Sequence, residues 1–166
     1  MRWLVSKLAP RLISIADRRD ADIYIGGRED TYLARWWLIP RNKWFNVYLH
    51  HFQRSDDDRA LHDHPWWNLS VLLRGSYTEE TINAGGVHVM TIRTAGDVKF
   101  RYASEAHRIE LHAGPCWTLF ITGPRIREWG FHCPKGWRSW RIFTNPADNG
   151  ATVGLGCGEY DEGAPK

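Results

Sequence analysis

The chain has 166 residues, 43% of them hydrophobic and 25% charged, which suits one domain around one core. Its 22 basic and 19 acidic residues leave a formal charge of +3, too small a surplus to point to a nucleic-acid partner. No apolar run approaches the roughly 20 residues that a membrane span needs.

Residues 1–20 predict an amphipathic helical arm, with Trp3, Leu4, Leu8, Leu12 and Ile15 at mixed i+3 and i+4 spacings. Pro10 works against that helix, and Pro10-Arg11 interrupts what a secretory leader would need as its apolar stretch. Packing on the main domain is the expected use of the arm, ahead of a membrane surface. Residues 21–43 read as irregular, with a short strand around Ile23–Ile25 and a turn at Gly26-Gly27. From Trp44 the text becomes short aromatic and β-branched segments split by Gly, Pro and Asn, the spacing of an all-β sandwich or barrel. After Pro146 the chain is Gly-rich, with Asp161 and Glu162 near the end, and is expected to lie loosely on the surface. The expected organisation is an extension over 1–43, a barrel over 44–145 and an irregular tail over 146–166.

The three cysteines, Cys116, Cys133 and Cys157, are odd in number and form no CxxC pair. Three reduced thiols in a cytoplasmic protein are expected, with Cys133 a structural thiol. The acidic run Asp56–Asp58 lacks a calcium-loop spacing and reads as a solvated loop. Arg127 is assigned to a surface salt bridge. Trp137 and Trp140 stand near Arg138 and Arg141, but without a basic surplus they give no nucleic-acid surface.

Eight histidines are many for this length. His62 and His64 are separated by one residue, so on extended backbone they face the same way and Asp63 faces the other. Two imidazoles on one face can share a metal ion at about 2.0–2.1 Å each. The same parity sends Asn68, Ser70 and Leu72 inward. Trp66 is placed on the interior wall and Trp67 in the outer packing layer. His107 follows a turn-forming stretch and is the candidate third ligand, delivered from a distant strand. The other histidines, His50, His51, His88, His112 and His132, read as partly buried or surface residues.

These residues resemble the cupin superfamily. Its first motif is matched by Asp57 in the leading glycine position, His62-Asp63-His64, Asn68 where a glutamate ligand is usual, and Gly75. Its second is matched by Gly96, Tyr102 in place of proline, Ser104 in place of glycine, and His107. The resemblance implies an all-β antiparallel barrel, the double-stranded β-helix or jelly roll, with an N-terminal helical or irregular extension. With Asn68 the ligand set would be three neutral histidines, a face that suits Fe(II), with Zn(II), Ni(II) or Mn(II) as alternatives. The strings LHDHPWWNLSVLLRGSYTEE and AHRIE are similar to those of the thiol dioxygenases. In those enzymes an arginine near the position of Arg35 binds the substrate carboxylate. The animal-type members carry Ser-x-His-x-Tyr on the strand after the third histidine, whereas Thr118, Phe120 and Thr122 stand here. The segment Thr118–Phe143 also resembles a group of small bacterial and phage cupin-like proteins.

The resemblance therefore implies a metal-dependent cupin, foremost a mononuclear non-haem iron oxygenase acting on a small molecule. A non-redox isomerase, lyase or hydrolase and a ligand-binding cupin are the alternatives. The metal ligands would be His62, His64 and His107; Asn68, Ser70, Trp66 and Arg35 would line the pocket or support the ligands. No nucleic-acid or membrane partner is expected, and a homodimer is, because an open barrel edge is commonly protected by pairing.

Overall fold

The computed structural model describes residues 2–56, 60–148 and 152–158. Helix α1 (Arg2–Ile13) precedes twelve strands: β1 (Ile23–Ile25), β2 (Leu33–Trp37), β3 (Asn46–Phe52), β4 (Leu61–His62), β5 (Asn68–Arg74), β6 (Ser76–Asn83), β7 (Val87–Thr94), β8 (Val98–Arg101), β9 (His107–Leu111), β10 (Cys116–Thr122), β11 (Gly130–Cys133) and β12 (Gly136–Ser139). A short helix α2 (Trp140–Phe143) follows. The strands form two six-stranded antiparallel sheets, in the orders β1-β2-β3-β10-β5-β8 and β12-β11-β4-β9-β6-β7. The all-β barrel expected from the sequence is thus present.

From β3 to β11 the chain crosses between the sheets at every step except β6 to β7, so it must turn sharply at the corners. Between β5 and β6 the turn is made by Gly75, whose φ is +92° and where a Cβ would lie 2.5 Å from the Cys116 sulfur. Gly96 makes the other motif turn at φ +97°, with Arg2 pressed against it. Only glycine fits either place.

Strand β3 explains why the first sheet is covered on both sides. Tyr48, His50 and Phe52 share one face, while Leu49 and His51 share the other. Leu49 joins Trp36, Leu73 and Trp117 on the outer side, and α1 closes that layer with Val5 and Ala9. An exposed apolar sheet face of this size requires such a cover. The arm therefore packs on the barrel, and the helix runs through Pro10, which points to solvent. A second core lies between the sheets, built from Leu33, Phe52, Leu72, Tyr77, Ile109 and Cys116.

Two expectations are corrected. The stretch read as irregular after Gly27 contributes β2, paired with β3 over Leu33–Trp37. Its LARWW text carries a central arginine that masks the strand, because that arginine turns inward. Second, Cys133 and Cys157 form a disulfide, with Cα atoms 5.3 Å apart; only Cys116 among the three is a free thiol. The expectation of three reduced thiols is overturned, and with it the support that thiol count lent to a cytoplasmic location. No helix among the described residues is long and apolar enough to cross a membrane.

The disulfide has a structural setting. Gly154 and Gly156 donate their backbone N–H to the Phe143 carbonyl at 2.8 and 3.0 Å, and Arg138 donates to the Gly156 carbonyl at 3.1 Å. Residues 152–158 are therefore bound to the barrel rather than loose; Asp161 and Glu162 lie outside the described residues. Sequence spacing concealed this pair because β11 and the tail meet only after the barrel has closed. Cys157→Ser is expected to lower stability by about 2–4 kcal/mol, read from denaturant midpoints. Thiol titration of the denatured, unreduced protein should give one thiol per chain; three would contradict the pairing.

Candidate metal centre

His62 ends β4 and His107 begins β9, and the two are register partners across that antiparallel pair. His64 lies just past the end of β4, where the chain crosses toward the other sheet. Its position is set by its backbone N–H, which donates to the Ala103 carbonyl at 3.0 Å. The three rings form a near-equilateral triangle, with centroids 5.0, 5.2 and 5.2 Å apart. One ligand atom from each lies within 4.8 Å of the others. The Nε2 atoms of His64 and His107 are 2.9 Å apart, the separation of neighbouring donors on one ion with bonds of about 2.0–2.1 Å.

Asp63 faces away, as alternation requires. Its buried carboxylate accepts from the Gly130 N–H at 2.8 Å and the Trp137 indole N–H at 3.0 Å, and pairs with Arg127 at 2.7 Å. Arg127, assigned from sequence to a surface bridge, is thus the counter-ion of a buried acid. Asp63 ties β11 and β12 to the two-histidine segment and so fixes the turn between His62 and His64. Asp57 lies outside the described residues, as does Asp58.

The donor set suits a divalent metal. Burial holds His64 and His107 well below the ordinary imidazole pKa, assisted on His64 by His62 and Arg101 and on His107 by Arg101 and the two neighbouring histidines. Both rings are neutral and can donate lone pairs. No carboxylate joins the cluster among the described residues. Glu79 comes nearest, with an oxygen 3.5 Å from His107 Nδ1. That carboxylate is fully buried and already bound: Arg101 donates to Oε1 through Nε at 2.7 Å and through a terminal nitrogen, and Arg93 donates to Oε2 at 2.9 Å.

Asn68 is fully buried and its Oδ1 accepts from Arg101 at 3.3 Å. It lies outside the cavity wall, whereas Arg101 stands on it. Ser70, Trp66 and Arg35 all line the cavity, whose volume is about 530 Å³. Trp66 stacks on His64 with ring centroids 4.9 Å apart, and Trp67 stacks outward on Phe100 at 5.8 Å.

Sequence reasoning missed His50, Glu79 and Arg101. His50 was grouped with ordinary histidines, yet it is 2% exposed and lines the cavity. Arg35 donates Nε–H to His50 Nε2 at 2.8 Å. A guanidinium only donates, so the His50 proton must sit on Nδ1. Burial, then Arg35 and His64, hold His50 well below its ordinary pKa. Glu79 and Arg101 carried no sequence signal, since nothing local pairs a glutamate of β6 with an arginine of β8.

Three neutral histidines, His50 and His107 buried and His64 partly buried, impose a pH dependence. The unfolded chain protonates them near the ordinary value of about 6.5, while the folded protein resists protonation to lower pH. Below about pH 6.5 the unfolded state binds more protons, so stability falls with acidification and is recovered as pH rises. Each histidine contributes a slope of up to about 1.4 kcal/mol per pH unit. Thermal melts of metal-free protein should fall steeply below that pH; a flat profile would refute buried neutral rings.

At the level of sequence, neither a family model nor a curated protein matches the chain. Solved structures do. The DMSP lyase DddQ from Ruegeria pomeroyi aligns over 74% of this chain and 65% of its own, at 17% identity and TM-score 0.53. The Mn(II)-containing oxalate decarboxylase from Bacillus subtilis aligns over 69% of this chain at 16% identity and TM-score 0.50; the match spans 30% of that enzyme. A Klebsiella pneumoniae protein with a double-stranded β-helix domain aligns over 68% of this chain and 97% of its own, at 14% identity and TM-score 0.49. Likeness at such identities concerns the fold. The chain shares the double-stranded β-helix fold, and three histidines are gathered inside its barrel.

Proposed function

We propose that the protein is a metal-dependent cupin enzyme, and within that class a mononuclear non-haem iron oxygenase acting on a small anionic substrate. The observation that supports this most is the donor set: three imidazoles and, among the described residues, no carboxylate, facing a cavity of about 530 Å³. His62, His64 and His107 would hold the ion and leave positions open beside the cavity. Fe(II) is the metal we favour, with Zn(II), Ni(II) or Mn(II) as alternatives. A bound iron would supply the one-electron chemistry that dioxygen requires.

The chain's own residues bind and orient. Arg35 has no carboxylate partner among the described residues. Its one side-chain hydrogen bond goes to His50, which leaves the terminal nitrogens for a substrate carboxylate. Asn68 holds Arg101, and Arg101 with Glu79 backs His107, so both act behind the ligands. Trp66 and Phe120 keep water from one side of the site.

A non-redox metal enzyme is the second reading. It is favoured by β10, whose cavity-lining side chains are Thr118 and Phe120 where the animal-type thiol dioxygenases carry a histidine relay. Oxygen uptake by protein loaded anaerobically with Fe(II), against a panel of small thiols and small carboxylic acids, tests both. Uptake with any of them supports the oxygenase. One equivalent of bound metal without uptake favours the second reading, and failure to bind metal overturns both. We also propose a homodimer. Strand β7 ends its sheet and leaves Val87, Met90 and Ile92 exposed for a second copy.

A further inference from the structure

We infer that the ligand of this cavity is a carboxylic acid carrying an aromatic or comparably bulky apolar body, with the carboxylate on Arg35. The carboxylate end rests on the reading of Arg35 given above; the body is a separate deduction from the walls. Two aromatic surfaces flank the histidine triangle. On one side Trp66 stacks on His64, and Phe120 lies 5.8 Å from Trp66 and 4.8 Å from His50. On the other, Trp129 and Phe131 stand 6.4 and 6.0 Å from His62, and Phe143 stacks on Phe131 at 3.6 Å.

The other charged residues of the lining are answered within the protein: Arg101 by Glu79, Arg54 by Asp30, and Asp56 by the Tyr32 hydroxyl and the Ile109 N–H. Arg35 faces the cavity with His50 as its only hydrogen-bonded neighbour among the described residues. Arg35 is partly buried, and a cation drawn out of water without a counter-ion is costly unless an anion completes it. Arg35 reaches the side of the cavity where the histidines lie through His50, and both His50 and His64 stand against Phe120, with ring centroids 4.8 and 6.2 Å away. A single carboxylate at Arg35 thus leaves the rest of the molecule between the two aromatic walls and beside the triangle. The volume, about 530 Å³, falls within the range of about 300–1,000 Å³ that encloses ligands larger than a two-carbon acid. Residues 152 and 153 of the tail segment, together with Phe143 and Thr144, complete the wall. The disulfide at Cys157 therefore helps to define the space that the ligand body fills.

Isothermal titration of the metal-free protein with acetate, phenylacetate, 3-phenylpropanoate and the neutral 3-phenylpropanamide tests this without the metal. Aryl acids should bind at least about 30-fold more tightly than acetate, from burial of the ring, and at least about tenfold more tightly than the amide, from the charge-assisted pair. Arg35→Gln should bring acid and amide to equal affinity. Phe120→Leu should reduce the aryl preference and leave the acid preference in place. Acetate binding as well as the aryl acids, the amide binding as well as the acid, or no binding by any of the aryl acids would each overturn the assignment. The wild-type panel decides the matter even if a variant fails to fold. Metal binding is scored in a separate titration with Zn(II), so loss of the metal reading and loss of this one are told apart.

Discussion

His107→Ala is expected to abolish stoichiometric binding of a divalent metal, and His62→Ala to do the same. A three-nitrogen site that loses one imidazole retains two, and two neutral donors do not hold a first-row ion against water at micromolar concentration. The geometry makes the loss specific. His62 and His107 are register partners, and His107 Nε2 already stands 2.9 Å from His64 Nε2. Asn68→Ala should keep most of the metal, because the Asn68 oxygen is bound to Arg101 and the residue is absent from the cavity wall; a loss of about 10–100-fold in affinity is the most that such a supporting residue explains. His88→Ala and His112→Ala should be silent, since those rings sit at the surface with Glu80 and Thr78. Metal analysis after equilibration with one equivalent of Zn(II) or Fe(II) gives the answer. Wild-type metal content in His107→Ala would place the metal elsewhere.

Glu79→Ala is expected to destabilise the protein by about 3–5 kcal/mol. The Glu79 side chain is completely buried and Arg101 is 1% exposed. Arg93 donates to the same carboxylate from the neighbouring strand. Removing the acid leaves Arg101 as an uncompensated buried charge beside His107, with water unable to reach it. For a chain of this size each 1 kcal/mol is worth about 2–4 °C in melting temperature, so a fall of roughly 10 °C is expected. The double variant Glu79→Leu with Arg101→Met removes both charges and should recover much of the loss. A Glu79→Ala protein as stable as wild type would mean that Arg101 finds another partner. Glu79→Gln keeps the shape and one acceptor, and should fall between the two.

The recoverable part of the architecture lies in local text. HDH needs only the alternation of extended backbone to put two rings on one side, and Gly75 and Gly96 mark turns that other residues cannot make. The third histidine was legible because its distance from Gly96 repeats a motif. Trp66 inward and Trp67 outward followed from the same parity. Strand β2 was missed because an inward arginine looks polar until its partner is known.

What the sequence by itself determined was the class of barrel and the pairing of His62 with His64, since both rest on parity and turn residues within a few positions of one another, while His107 followed from the motif distance to Gly96. The tertiary structure decided the rest of the site's chemistry. Glu79 meets Arg101 across 22 positions, Arg35 meets His50 across 15, and Cys133 meets Cys157 across 24. Each of these pairs is made when strand register and barrel closure bring distant side chains together. Until then glutamate and arginine are ordinary surface letters, and only burial turns them into an obligate pair whose charge must be answered locally.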